Sequence, residues 1–141
     1  MAYIKVWGHF VWTTKMRQHF LTKNVKSKVI AHIKENALKK DIYIDSMDGG
    51  KEHLHALISL GAKQSVSEVA QLLKGEASFW INKENLVKGK FEWQDKYFAI
   101  SVSESVLPKV RKYIRNQEEH HRYKPFSEEY DAFMEKYGFS E

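Results

Sequence analysis

A chain of 141 residues with 43% hydrophobic content is long enough for one domain with a real core and too short for two comfortable ones. It holds no cysteine, which excludes disulfides, thiolate zinc sites and cysteine nucleophiles together and leaves any metal to His, carboxylate or amide ligands. A formal charge of +5, a pI of about 9.3 and seven histidines suit a polyanionic partner, although a modest positive charge equally serves solubility. No apolar run approaches the ~20 residues of a membrane span, and the start MAYIKVWGHF lacks the basic and apolar regions of a signal peptide. The expectation is a soluble cytoplasmic protein without membrane contact.

Residues 3–14 are rich in aromatic and β-branched types (Tyr3, Ile4, Val6, Trp7, Phe10, Val11, Trp12), which suits a long first strand broken at Thr13-Thr14-Lys15-Met16-Arg17. Over residues 24–40, Val25, Val29, Ile33 and Ala37 recur every fourth position, the mark of an amphipathic helix. Ile42, Tyr43 and Ile44 read as a short strand, followed by Asp48-Gly49-Gly50, which offers positive-φ residues for a tight hairpin, and a partner strand over 52–60. Ser65-Val66-Ser67-Glu68 is a capping box. It opens a helix through Val69, Leu72 and Leu73 to Phe79, Trp80 and Ile81, with Gly75 as the expected kink. A strand region covers 91–102, interrupted at Gln94-Asp95-Lys96, and Pro108 sits where the first turn of a third helix tolerates it, running to about His121. A last helix starts at Pro125-Phe126-Ser127, with Ser127 as N-cap and Gly138 as the stop.

The order β, α, β, β, α, β, α, α fits an α+β, ferredoxin-like antiparallel sheet with helices on one face, extended by C-terminal helices. With two prolines, no repeat and no low-complexity tract, the whole of 1–141 reads as one domain.

Two segments carry candidate chemistry. In the strand over 52–60 the period of two puts Leu54, Ala56, Ile58 and Leu60 on a core face and His53, His55, Leu57 and Ser59 on the other. Two imidazoles side by side can hold half of a divalent-cation site, but the same spacing describes two ordinary polar residues on a solvated strand face. Phosphoesterases with paired H-x-Thr/Ser motifs also carry histidines on such strands. Here the motif ends in His and has no second copy.

In the third helix Leu107, Val110 and Ile114 form one stripe, and Tyr113 and Gln117, at i and i+4, point together beside it, with His120 a turn further on. Lys109, Arg111, Lys112 and Arg115 surround them with positive charge suited to phosphates. Helical geometry alone fits a packing tyrosine as well as a reactive one.

Taken in order, WGHFVWTTK at 7–15, His53-Leu54-His55, Leu73-Lys74-Gly75, FEWQDKYFA at 91–99 and Tyr113-Ile114-Arg115-Asn116-Gln117 resemble the single-tyrosine HUH transposases of small bacterial insertion sequences, the TnpA type, in which U is a hydrophobic residue. The resemblance spans nearly the whole chain. It implies that His53 and His55 bind Mg2+ or Mn2+, that Gln117 completes the coordination, and that Tyr113 attacks the scissile phosphodiester of single-stranded DNA. The products would be a 5′-phosphotyrosine link and a free 3′-hydroxyl, and no ATP would be needed.

It further implies recognition of a DNA hairpin at the element's end, and a homodimer in which the tyrosine helix of one chain completes the histidine site of the other. Lys15, Arg17, Lys109, Arg111, Lys112, Arg115 and His120 are the candidate DNA contacts. Alternatives are a replication initiator or relaxase, whose relatives are usually larger, a domesticated relative that binds the hairpin without catalysis, a nuclease using water, and a non-catalytic nucleic-acid-binding module with bases stacked on strand aromatics such as Tyr97 and Phe98.

Overall fold

The computed structural model describes residues 3–117 and 125–138. The aromatic N-terminal segment forms β1 (Val6–Thr14), while Tyr3 and Ile4 are exposed and stay outside it. β1 pairs antiparallel with β3 (His53–Leu60) on one side and β4 (Trp93–Val102) on the other, and β2 (Tyr43–Gly49) adds to β3, giving the order β2-β3-β1-β4. α1 (Lys23–Lys39) connects β1 to β2, and α2 (Val66–Lys83) connects β3 to β4. This is the expected ferredoxin-like arrangement.

One sheet face carries the main core. The four-residue stripe of α1 buries Val29, Ile33 and Ala37, and α2 buries Val69, Leu73, Ala77 and Ile81, against Phe10 and Trp12 of β1 and Leu54, Ala56 and Ile58 of β3. Such burial contributes roughly 25 cal/mol per Å2 of apolar surface removed from water. Two helices cover the opposite face. α3 (Leu107–Arg115) packs Leu107 and Ile114 against Trp7 and Leu57. α4 (Phe126–Lys136) packs Phe126 and Phe133 against Val11 and Phe98. No helix among the described residues is long and apolar enough to cross a membrane.

Several local expectations change. β2 is longer than residues 42–44, and neither Gly49 nor Gly50 takes a positive φ. Both are glycines because backbone and ring come close: a Cβ on Gly49 would meet Leu54 Cα at 2.8 Å, and one on Gly50 would meet His53 Cε1 at 2.7 Å. α2 runs through Gly75 without interruption, since burial on both sides outweighs the ~1 kcal/mol a helical glycine costs. The break at Gln94-Asp95-Lys96 is a register shift inside a continuous β4, between the pairs Trp12↔Tyr97 and Thr14↔Trp93.

At α4 the N-cap is Pro125, not Ser127: the Pro125 carbonyl accepts the first helical bonds from Glu128 and Glu129 N–H, so the helix begins earlier. Ser65 does cap α2, accepting from Glu68 N–H at 3.1 Å, and Gly138 ends α4 with φ +70.

Candidate active site

The H-x-H pair lies on the sheet face opposite the main core, as strand alternation requires, but that face is not solvated. His53 and His55 are each 0% exposed beneath α3 and α4. His53 Nε2 sits 3.1 Å from Gln117 Oε1, its Nδ1 lies 2.6 Å from Glu52 Oε1, and Phe126 stacks on its ring with centroids 3.8 Å apart. His55 Nδ1 is 2.9 Å from His9 Nε2, and its Nε2 lies 3.1 Å from Glu129 Oε1. Among the described residues His55 Nε2 makes no hydrogen bond, and Glu129 only comes close to it.

Each outer nitrogen thus has a partner that fixes its ring, Glu52 for His53 and His9 for His55, leaving the two Nε2 atoms facing the same space. Partners of this kind orient metal-binding imidazoles. Ligand atoms of His53, His55 and Glu129 all lie within 4.8 Å of one another.

Tyr113 completes the constellation. Its ring is 5.5 Å from that of His55 and nearly perpendicular to it, and its hydroxyl donates to Glu129 Oε1. Gln117 Nε2 donates to the Tyr113 carbonyl at 3.2 Å, which aims the amide oxygen at His53. The i, i+4 pair therefore reaches the histidines together.

Burial sets the protonation states. It pushes His55 down to about 3, with nearby His53 and His9 lowering it further and Glu129 opposing, and pushes His9 down to about 4, again against Glu129. Both imidazoles are neutral at pH 7, which leaves His55 Nε2 available as a ligand. Burial raises Tyr113 well above the usual phenol range, and the hydrogen bond and charge of Glu129 raise it further. Burial would raise Glu52 as well, but the His53 hydrogen bond and charge leave it below the usual carboxylate range.

A cleft of about 700 Å3 opens beside Glu52, Gln117 and Phe126, walled by Arg17, His19, Lys23, Lys26 and Lys51. Lys26 is buried and committed to Gly49 O at 2.9 Å and Asp48 Oδ1 at 3.1 Å. The Arg17 guanidinium lies over Tyr130 at 4.8 Å and Phe126 at 5.5 Å. It also lines a second cleft, of about 470 Å3, with Tyr97, Phe98, Lys96 and Gln94. Of the other basic candidates, Lys15 pairs with Glu92 at 3.3 Å, and Lys109, Lys112 and Arg115 are exposed on α3. Arg111 forms a bidentate pair with Asp45 on β2, and His120 lies outside the described residues.

Three members of the cluster were not picked out from sequence: His9, Glu52 and Glu129. Glu129 had a signal, because Phe126, Tyr130 and Phe133 form an apolar stripe with this carboxylate in its middle. His9 had none, since the register that sets it diagonal to His55 is a tertiary fact.

A ferredoxin-like sheet with a buried H-x-H strand, under a helix that bears a tyrosine and has a glutamine just past its end, is the design of a TnpA-type HUH transposase. Residues 2–117 match the IS200-like transposase family, and the chain belongs to that family. It is 25% identical over 115 residues to the ISDra2 transposase TnpA of Deinococcus radiodurans, covering 77% of this chain and 81% of that one. Its fold matches the crystal structure of a putative transposase from Deinococcus radiodurans with a TM-score of 0.67, at 21% identity over 82% of this chain and 93% of the other. It also matches a REP-associated tyrosine transposase bound to a REP hairpin, with a TM-score of 0.64 at 16% identity, over 86% and 72% of the two chains. The family match ends at Gln117, so α4 and Glu129 lie beyond it.

Proposed function

We propose that this transposase cleaves and rejoins single-stranded DNA at hairpin-bearing ends, with Tyr113 as nucleophile and a divalent cation, Mg2+ or Mn2+, at His53 and His55. The observation that carries the reading is the meeting of Tyr113, Gln117 and the two buried imidazoles, which are 58 to 64 positions apart in sequence by subtraction of their numbers.

The residues fit a cation. Two imidazoles, the Glu129 carboxylate and the Gln117 amide oxygen make a mixed N/O donor set, and His55 Nε2 has no hydrogen bond to give up among the described residues. When bound, the cation supplies positive charge that polarises a phosphate oxygen and offsets the charge of the transition state.

The chain's own groups do the rest. The Tyr113 oxygen attacks phosphorus, the bond from phosphorus to the 3′-oxygen breaks, and a 5′-phosphotyrosine and a 3′-hydroxyl result. Glu129, which accepts the Tyr113 hydrogen bond, is placed to take the phenol proton, and the departing 3′-oxygen acquires a proton from solvent. A 3′-hydroxyl from another strand reverses the step without ATP. Because both histidines are fully buried with Phe126 stacked on His53, a DNA phosphate has to enter between α4 and the sheet. The basic cleft beside Gln117 leads there.

The protein would act in the cytoplasm, where its DNA lies. The family likeness further supports a homodimer; within one chain Tyr113 and Gln117 already reach both histidines.

The test is incubation with Mn2+ or Mg2+ and single-stranded DNA from both flanks of the gene, followed by a search for a denaturant-resistant protein–DNA adduct. An adduct lost with chelator and with Tyr113→Phe supports the reading. Tight hairpin binding with no adduct on any flank would make this a non-catalytic hairpin-binding protein.

A further inference from the structure

We propose that Asp45 and Arg111 form a lock that sets the roll of the tyrosine helix, making both of them positioning residues and removing Arg111 from the DNA contacts. The inference rests on the transposase reading for its link to activity, and on geometry for the lock itself.

α3 sits on the sheet through Leu107, Val110 and Ile114, packed on Trp7 and Leu57. Apolar contact of this kind is non-directional, so the stripe alone leaves the helix free to roll by small angles about its axis. Tyr113 and Gln117 flank the stripe on one side, and Arg111 flanks it on the other. A roll that lifts Arg111 therefore swings Tyr113 and Gln117 away from His55 and His53. Opposing that roll is a bidentate pair, Arg111 Nε to Asp45 Oδ1 at 2.9 Å and Nη2 to Oδ2 at 3.0 Å. A guanidinium fork on a carboxylate fixes direction as well as distance.

The carboxylate comes from the edge strand β2. β2 carries a bulge: Ile44 pairs with Ile58 and Ser46 with Leu57, so Asp45 is the extra residue. Ile44 and Met47 both pack on the main core, a spacing that strict alternation would forbid. Asp45, two residues after Tyr43 and one after the core-facing Ile44, points towards α3 by ordinary alternation, and the bulge returns Met47 to the core behind it. Ser46 Oγ donates to Asp45 Oδ1 at 2.7 Å, and the Arg111 hydrogen bonds hold the Asp45 carboxyl below the usual range against partial burial. β2 is one edge of the sheet and β4, to which residues 103–106 tether α3, is the other. The helix is thus held at both edges.

The experiment compares wild type, Asp45→Asn, Arg111→Gln and the double variant, using hairpin-forming single-stranded DNA from the gene's flanks with Mn2+. Each single variant should slow adduct formation at saturating DNA by about 10- to 100-fold, the effect of a small misplacement of the nucleophile, with the DNA Kd unchanged. The double variant should be no slower than either single one, because one interaction is lost in all three. If Arg111 instead contacts phosphate, Arg111→Gln weakens DNA binding and lowers the salt slope by about 1. Asp45→Asn would then leave the rate alone, and the lock is wrong.

Amide hydrogen exchange on DNA-free protein gives a readout independent of activity. Residues 107–117 should lose protection in Asp45→Asn while β1 and β3 keep theirs, and unchanged protection overturns the proposal. A wild type that forms no adduct would sink the transposase reading, with the exchange result still deciding the lock.

Discussion

Lowering the pH from about 7 to about 5 should weaken the fold through two buried histidines. The ordinary histidine value is 6.5, while His9 is held at about 4 and His55 at about 3. Between these values the unfolded chain binds protons that the folded chain refuses, so stability is fully present above 6.5 and is lost as pH falls below it. At about pH 5 the loss is about 2 kcal/mol per histidine, or about 4 kcal/mol for the pair, from the free energy of protonating the unfolded side chains. That is a large part of the ~5–15 kcal/mol that holds a domain together. Asp45 and Glu52 lie below their ordinary values of 3.8 and 4.5, so their contributions fall away only at more acid pH. The window from about 5 to 6.5 therefore lies above both of these carboxylates. Urea unfolding with chelator present, followed by fluorescence of the four tryptophans, measures the drop, and His9→Asn should reduce it to about 2 kcal/mol. Equal stability at both pH values in the wild type would refute the claim that these imidazoles are neutral in the fold.

Tyr113→Phe should abolish the adduct and, by stripping Glu129 of a buried donor, cost about 1–3 kcal/mol of stability in the same urea assay. Glu129→Gln should lower Mn2+ affinity by ~10-fold or more in titration calorimetry, the scale at which coordination-sphere changes act; unchanged affinity would leave the cation to the histidines and Gln117. Gly50→Ala places a methyl 2.7 Å from His53 Cε1. It should tilt the imidazole and weaken Mn2+ binding more than it lowers the melting temperature, and an unaltered affinity would show that the hairpin yields instead.

The sheet, the helices and the facing of the histidines were legible because each is a local pattern. Leu54, Ala56 and Ile58 alternate with His53 and His55, and Val29, Ile33 and Ala37 repeat at the helical period. What was not legible depended on contacts between distant segments. Whether His53 and His55 face water is decided by α3 and α4 folding back over the second face. Arg111 looks like a phosphate contact because nothing local reveals that α3 folds back over β2 and brings it to Asp45, 66 positions away. The sequence marks Gly49 and Gly50 as turn residues, whereas the His53 ring and the neighbouring backbone are what exclude a side chain there.

The second sheet face itself separates structure from chemistry. At one end Trp7, Leu57, Leu107 and Ile114 close the gap between β-sheet and α3 with apolar groups alone. Across the same interface His9, His53, His55, Gln117 and Glu129 are all buried. Burying such groups costs free energy that hydrogen bonds only partly return, and apolar side chains of similar size would hold the helix at least as well. The same sheet and helix use both solutions side by side, so the polar one is not forced by the fold. A buried polar cluster retained at a cost to stability, next to an apolar one that does the packing, is the pattern expected where side chains are kept for reaction.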